Sequence, residues 1–242
     1  MEKKKNDFIA QGSILAVASI LVRVMGMIYR IPMTAIIGDK GNGFYSYAYS
    51  VYTILLLLSS YSLPLAVSKM VSAKAQLGQW RNVKRVFICA IAFAIGIGTT
   101  FGLIVLIGAQ FFTRVFFHSE LAAIALRFMA PTILIMALLG VFRGFFQGLQ
   151  NTLPTAVSQI VEGLINAIMS VVFAYFLFDF GHGMDAASGT TDLGYAWGAA
   201  GGAIGTGAGA LAGLIFCFIL FVAYRKILAV NISRDKTGTQ QE

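Results

Sequence analysis

The chain has 242 residues, of which 58% are hydrophobic and only 12% charged, with a formal net charge of +8 and a mean hydropathy of +0.80. Soluble domains carry about 25% charged residues, and half that share cannot solvate a globule of this length, while disordered chains are poor in the apolar and aromatic residues abundant here. A soluble enzyme and a disordered chain are therefore excluded; at about 20 apolar residues per crossing, the length holds six or seven membrane spans and no sizeable soluble domain.

Apolar runs of helical length predict six spans, at about 8–37, 44–68, 86–112, 121–148, 153–178 and 195–224, with a polar tail over 231–242. Residues 1–230 thus read as one six-helix transmembrane lobe. The first run follows Lys3, Lys4 and Lys5 as a signal peptide would, but it greatly exceeds the roughly 7–15 residues of a signal core and reads as a span. Arg23 lies roughly 20 Å along it from Ile9, at about 1.5 Å per residue. An arginine at that depth costs about 2.5–3.5 kcal/mol on insertion scales and is expected to face a bundle interior or a wet cavity. Arg30 follows seven residues later, so both guanidinium groups project from one face together with Ser19 and Gly26. Two arginines on one stripe suit bidentate binding of a phosphate or diphosphate. Pairing with an acid on another helix, or snorkelling of Arg30 to the outer interface, are the alternatives. Pro32 is placed to kink this span.

Polar connectors are predicted at 38–43, 69–85, 113–120, 150–152 and 179–194. Cys89 and Cys217 fall in apolar runs without metal-ligand spacing and read as packing thiols. In the fourth span, Arg127 is placed to snorkel, whereas Arg143, one turn from Gln147, either lines an inner vestibule or meets head groups. In the fifth, Gln159, Glu162, Asn166 and Ser170 form one polar face. Glu162 is the only acid within a span and must be protonated, paired or wet. It could neutralise an arginine, bind a coupling cation or carry a proton; interhelical hydrogen bonding is the plainer role for its neighbours. In the sixth span Gly201, Gly205, Gly209 and Gly213 recur every four residues, which lets helices approach closely in lipid. No GK[ST] follows the Gly205-Thr206-Gly207 stretch and no strand precedes it, so a phosphate loop is not indicated.

With the N-terminus inside, inner segments carry twelve Lys and Arg: Lys3, Lys4, Lys5, Lys69, Lys74, Arg81, Lys84, Arg85, Arg225, Lys226, Arg234 and Lys236. Outer loops carry two, Lys40 and Arg114. By the positive-inside rule both termini are expected in the cytoplasm, and the excess positive charge reads as topology rather than nucleic-acid binding. His118 and His182 sit in outer loops without a catalytic set around them. No motif for a metal, a cofactor or enzymatic chemistry is found.

Several phrases resemble a known family. The first span and its exit read Ser19-Ile-Leu-Val-Arg23-Val-Met-Gly26-Met-Ile-Tyr-Arg30-Ile-Pro32, then Ile37-Gly38-Asp39-Lys40-Gly41-Asn42-Gly43. Tyr45-Ser-Tyr-Ala-Tyr49-Ser-Val-Tyr52, Leu63-Pro64-Leu-Ala-Val-Ser68-Lys69 and Arg143-Gly-Phe-Phe-Gln147-Gly-Leu-Gln150-Asn151 follow, the last leading into Pro154-Thr-Ala-Val-Ser-Gln159 and Glu162. Together they resemble the N-terminal lobe of the polysaccharide-export and lipid-flippase branch of the multidrug/oligosaccharidyl-lipid/polysaccharide exporter superfamily. The likeness is greatest to the stage V sporulation protein B group of Gram-positive bacteria, which includes MurJ-type lipid II flippases.

This resemblance implies a two-lobe V around a central cavity. It also implies movement of undecaprenyl-diphosphate-linked saccharides such as lipid II to the outer leaflet by alternating access, for peptidoglycan or polysaccharide synthesis. First-span arginines of such proteins hold the lipid diphosphate, and Arg23 matches one in its Arg-Val-x-Gly setting. Arg30 stands seven residues on, where the Gram-negative pattern has six, and the acid of the second helix has no counterpart beyond the nearby Tyr45 or Tyr47. The expected partners are the bilayer, a lipid-linked oligosaccharide and a second lobe, supplied by another chain or another copy. The rival functions are a cation-coupled multidrug exporter of the same superfamily and a non-transporting scaffold or truncated remnant.

Overall fold

The structure, a computed structural model, describes residues 2–189 and 191–235. Residues 236–242 of the predicted tail, including Lys236, lie outside the described residues, as do the side chains of Lys3, Lys4 and Lys5. The regular structure is helical: α1 (Glu2–Ser59), α2 (Leu63–Gln76), α3 (Trp80–Phe117), α4 (Ala122–Gly148), α5 (Leu153–Ser188) and α6 (Leu193–Ser233). Five stretches are long and apolar enough to cross a membrane, the first running from Gly12 through α2. Helices satisfy their own backbone groups, as the absence of water in hydrocarbon requires.

Helix α1 consists of two arms. Gly38 adopts φ 63°, ψ −178°, a left-handed backbone open to glycine and costly for other residues. Met33 and Tyr45 both stand about 3 Å from the point a Cβ on Gly202 would occupy. In an unbroken helix they would be about 18 Å apart, so the chain doubles back at Gly38. Gly41 completes the tight turn, since a Cβ there would press on Ile37 and on the Tyr195 carbonyl. The predicted connector 38–43 is therefore helical except at Gly38, and Pro32 lies within helical backbone instead of marking the kink.

The second predicted span, 44–68, is interrupted instead. Helix α1 stops at Ser59, residues 60–62 form a turn, and α2 begins at Leu63 with Pro64 in its first turn, where a missing N–H costs no helical hydrogen bond. Elsewhere the helices outrun their apolar cores. Polar residues keep helical dihedrals until one that tolerates a left-handed backbone ends the helix: His118 at φ 51° after α3 and Gly189 at φ 69° after α5. The connectors predicted at 69–85, 113–120 and 179–194 thus shrink to 77–79, 118–121 and 189–192.

Helix α4 is the central element, its most apolar window 56% buried. Glycines bring backbones together at several contacts, among them Gly98 and Gly102 of α3 against Leu134 and Ala130 of α4. A Cβ on Gly201, Gly205 or Gly209 of α6 would strike α5 at Phe173 and Ala174, at Ser170, or at Glu162 and Asn166, respectively. Gly213 stands 3.4 Å from Glu162 and Ser158 by the same construction. On α4, Gly144 and Gly148 abut Pro64, Val67, Ser68 and Val71 of α2, and Gly140 lies beside Pro64. Gly140, Gly144 and Gly148 repeat the four-residue spacing of the α6 glycines. Cys217 is buried, whereas Cys89 is exposed on α3 rather than packed.

The bundle has two chemically different ends. At one, Asp235 after α6 accepts a hydrogen bond from the backbone of Arg81 in α3 at 2.8 Å. The basic residues of α2, the start of α3 and the end of α6 gather there. At the other, the two carboxylate oxygens of Asp185 cap α6 through the backbone of Leu193 (3.0 Å) and Gly194 (2.9 Å). Lys40 pairs with Asp192 at 3.0 Å, whose hydrogen bond and charge hold the Lys40 ammonium above its usual range. Arg114 lies 3.5 Å from Glu120 at this end.

Candidate functional site

The two arms of α1, with α4, α5 and α6, enclose a cavity of about 590 Å³. Arg23, Gly26 and Arg30 of the first arm line one side, Tyr45, Tyr49 and Tyr52 of the second arm another, and Glu162, Gly163 and Asn166 of α5 a third. The heptad spacing of the arginines puts both on this wall. Both are exposed, and neither makes a hydrogen bond or ion pair with any described residue. Two unpartnered guanidinium groups set beside a cavity in an apolar helix are costly, and an anion entering that cavity would relieve the cost.

The tyrosines were not singled out as a set in the sequence, although Tyr45, Tyr49 and Tyr52 stand at i, i+4 and i+7 and so share a helix face. Tyr45 stacks on Tyr49 with ring centroids 5.8 Å apart, and its hydroxyl lies 3.2 Å from that of Thr206 on α6. Tyr47 points elsewhere and stacks on Phe117. On α5, Ser170 donates to Asn166 Oδ1 at 2.8 Å and to the Gly202 carbonyl at 3.2 Å. Ser170 therefore links Asn166 of the cavity wall to the backbone of α6.

Glu162 is paired, and its partner is Arg143 of α4 rather than either first-arm arginine. Nη2 of Arg143 stands 2.6 Å from Glu162 Oε2, with the two side chains only 11% and 23% exposed. Nε of Arg143 donates to Ser158 Oγ at 2.9 Å. Arg143 is thus largely buried and held by side chains of α5. With Gln147, Thr155 and Gln159 it lines a second cavity of about 370 Å³, which meets the first at Leu56 and Met136. The amide oxygen of Gln159 is buried there without a hydrogen-bond partner among the described residues. Arg127, by contrast, is exposed on the first half of α4.

Residues 8–237 match the family described as polysaccharide biosynthesis protein. The chain belongs to this family. Among curated relatives it is 26% identical to stage V sporulation protein B of Bacillus subtilis (strain 168) over 240 residues, covering 98% of this chain and 43% of that protein. From the same organism, lipid II flippase MurJ is 27% identical over 163 residues, 64% of this chain and 30% of the relative. The uncharacterized membrane protein YabM is 27% identical over 174 residues, 72% of this chain and 32% of its own length. The chain thus spans less than half the length of the curated relatives it matches. No solved structure gives a significant match. Family and hydropathy together make it a multi-pass membrane protein.

Proposed function

We propose that this chain is the N-terminal lobe of a flippase for lipid-linked saccharides, with Arg23 and Arg30 holding the diphosphate of the carrier lipid. The observation that carries the reading is the pair of arginines on one cavity wall with no partner among the described residues. A diphosphate offers several charged oxygens to such a pair, and charge-assisted hydrogen bonds are the strong ones. Each arm of α1 is a span in this reading, giving six passes. The basic end faces the cytoplasm, which puts both termini inside. Undecaprenyl-diphosphate-linked precursors of the lipid II type are the substrates, moved by alternating access around a cavity that a second lobe completes. Two free cations on the wall oppose a cationic drug as cargo, because like charges repel strongly where the dielectric is low.

The test is the binding of farnesyl diphosphate to the purified chain in nanodiscs. Loss of a hydrogen-bonding charge is worth about 1.5–3 kcal/mol, so Arg23→Ala is expected to weaken binding roughly tenfold or more. The same variant is expected to insert normally yet fail to rescue cells depleted of their lipid II flippase when the wild-type sequence, together with its second lobe, succeeds. Unchanged affinity and normal rescue by Arg23→Ala would overturn the assignment.

A further inference from the structure

Arg143 and Glu162 meet at the boundary between the two cavities. Arg143 lines the smaller one and Glu162 the larger, and Leu56 and Met136 contribute to both. The smaller cavity lies toward the basic end, lined by Ser60 just after α1 ends, by Gln147 near the end of α4 and by Thr155 in the first turn of α5. The larger holds Arg23 and Arg30. An anion moving in from the basic end therefore meets Arg143 before it meets the first-arm arginines.

The ion pair is incompletely satisfied on both sides. A guanidinium carries five N–H donors. Here Nε serves Ser158 and Nη2 serves Glu162, while the other donors have no partner among the described residues. Glu162 accepts through Oε2 alone among the described residues. Three residues earlier on the same helix, the buried Gln159 oxygen also lacks a partner among the described residues. A buried ion pair adds stability when its remaining protons and lone pairs are hydrogen-bonded, and this one leaves capacity open toward both cavities. That arrangement suits exchange of one anion for another better than it suits a permanent strut.

We propose that Arg143 is a third anion-binding residue and that Glu162 is a tethered carboxylate occupying its place until a diphosphate displaces it. The anion is held first at Arg143 and then passed to Arg23 and Arg30, with the ion pair re-forming behind it. The proposal rests on the flippase reading for the identity of the anion, and it assigns a step to residues which that reading leaves unused.

The experiment measures calorimetric binding of two probes to the purified chain in nanodiscs: inorganic pyrophosphate for the bare anion and farnesyl diphosphate for the lipid-linked one. Glu162→Gln keeps a hydrogen-bond acceptor for Arg143 but removes the competing charge. It is expected to tighten binding of at least one probe about tenfold, equivalent to about 1.4 kcal/mol. The double variant Arg143→Gln with Glu162→Gln keeps a neutral amide pair in place and is expected to lose that gain. A gain with farnesyl diphosphate alone assigns the site to lipid-linked substrate, and a gain with both assigns it to the diphosphate group itself. Unchanged or weaker binding by a Glu162→Gln variant that melts like wild type overturns the proposal, as does a gain that survives in the double variant. Failure of this inference is separable from failure of the flippase reading: in the former, wild-type binding still depends on Arg23, and in the latter it does not.

Discussion

The α5–α6 pair and the first arm of α1 are built on opposite principles. In α6, three glycines at four-residue spacing lie so close to α5 that a methyl group on any of them would collide with its backbone. In the first arm, Ile14, Val17, Ile20, Leu21, Val24, Met27, Ile28 and Ile31 are all exposed, and among its described side chains, from residue 12 on, Ala18, Met33 and Ile37 alone are buried. One region is locked by backbone contact, and the other presents an apolar surface with two free charges. The contrast follows from what drives association in lipid. Apolar side chains gain nothing by leaving hydrocarbon, so helices hold together where small residues allow close contact. The first arm, without such a stripe, makes a cavity wall, and the α5–α6 pair makes the frame that carries it.

The strongest way to break this contrast is to enlarge the α6 stripe. Gly205→Leu would drive a side chain into the Ser170 backbone. Overpacking of a tight core costs typically 1–3 kcal/mol and sometimes more, and with backbone rather than a flexible side chain in the way we expect about 3 kcal/mol or more. Unfolding of the detergent-purified chain, followed by helix content against temperature, measures it. Wild-type melting for Gly205→Leu would show that the α5–α6 contact is not the frame.

A smaller effect is expected where frame and wall meet. Removing one member of a buried ion pair costs about 3–5 kcal/mol. With Glu162 still 23% exposed, Arg143→Ala is expected to cost nearer 2 kcal/mol, since water can reach the stranded carboxylate. Restoring stability by adding Glu162→Gln in the same chain tests that cause. If the double variant melts no higher than Arg143→Ala alone, the loss comes from packing of the arginine stem instead.

These regions were not equally legible in the sequence. The α6 stripe could be read because a four-residue glycine repeat has one physical use in an apolar helix. The arginine wall could be read because seven residues is close to two turns. The polar run 38–43 predicts a loop, since polarity alone does not separate loop from helix, whereas Asp39 to Gly43 are helical and a single left-handed glycine suffices to turn the chain. The partner of Glu162 could not be read at all. Arg23, Arg30 and Arg143 are equally apt in composition, and only the packing of α4 on α5 and α6 brings the third within 2.6 Å. Gly140, Gly144 and Gly148 of α4 have the same four-residue spacing, and it is the packing of α2 against them that shows their use.

The smallest effect should carry the opposite sign. A Cβ on Gly26 of the first arm would meet nothing within 4 Å, whereas the same atom on Gly205 would strike α5. Glycine within a helix is destabilising by about 0.5–1 kcal/mol relative to alanine, so Gly26→Ala is expected to raise stability by about 0.5 kcal/mol, while Gly205→Ala lowers it. One methyl group added to two helices of the same bundle then gives changes of opposite sign, read as opposite shifts in melting temperature. Gly26 also lies between Arg23 and Arg30 on the cavity wall, so the variant reports twice. If melting rises and farnesyl diphosphate still binds, the wall tolerates stiffening. If melting falls, the first arm is packed against something at Gly26, and its description as an open wall fails.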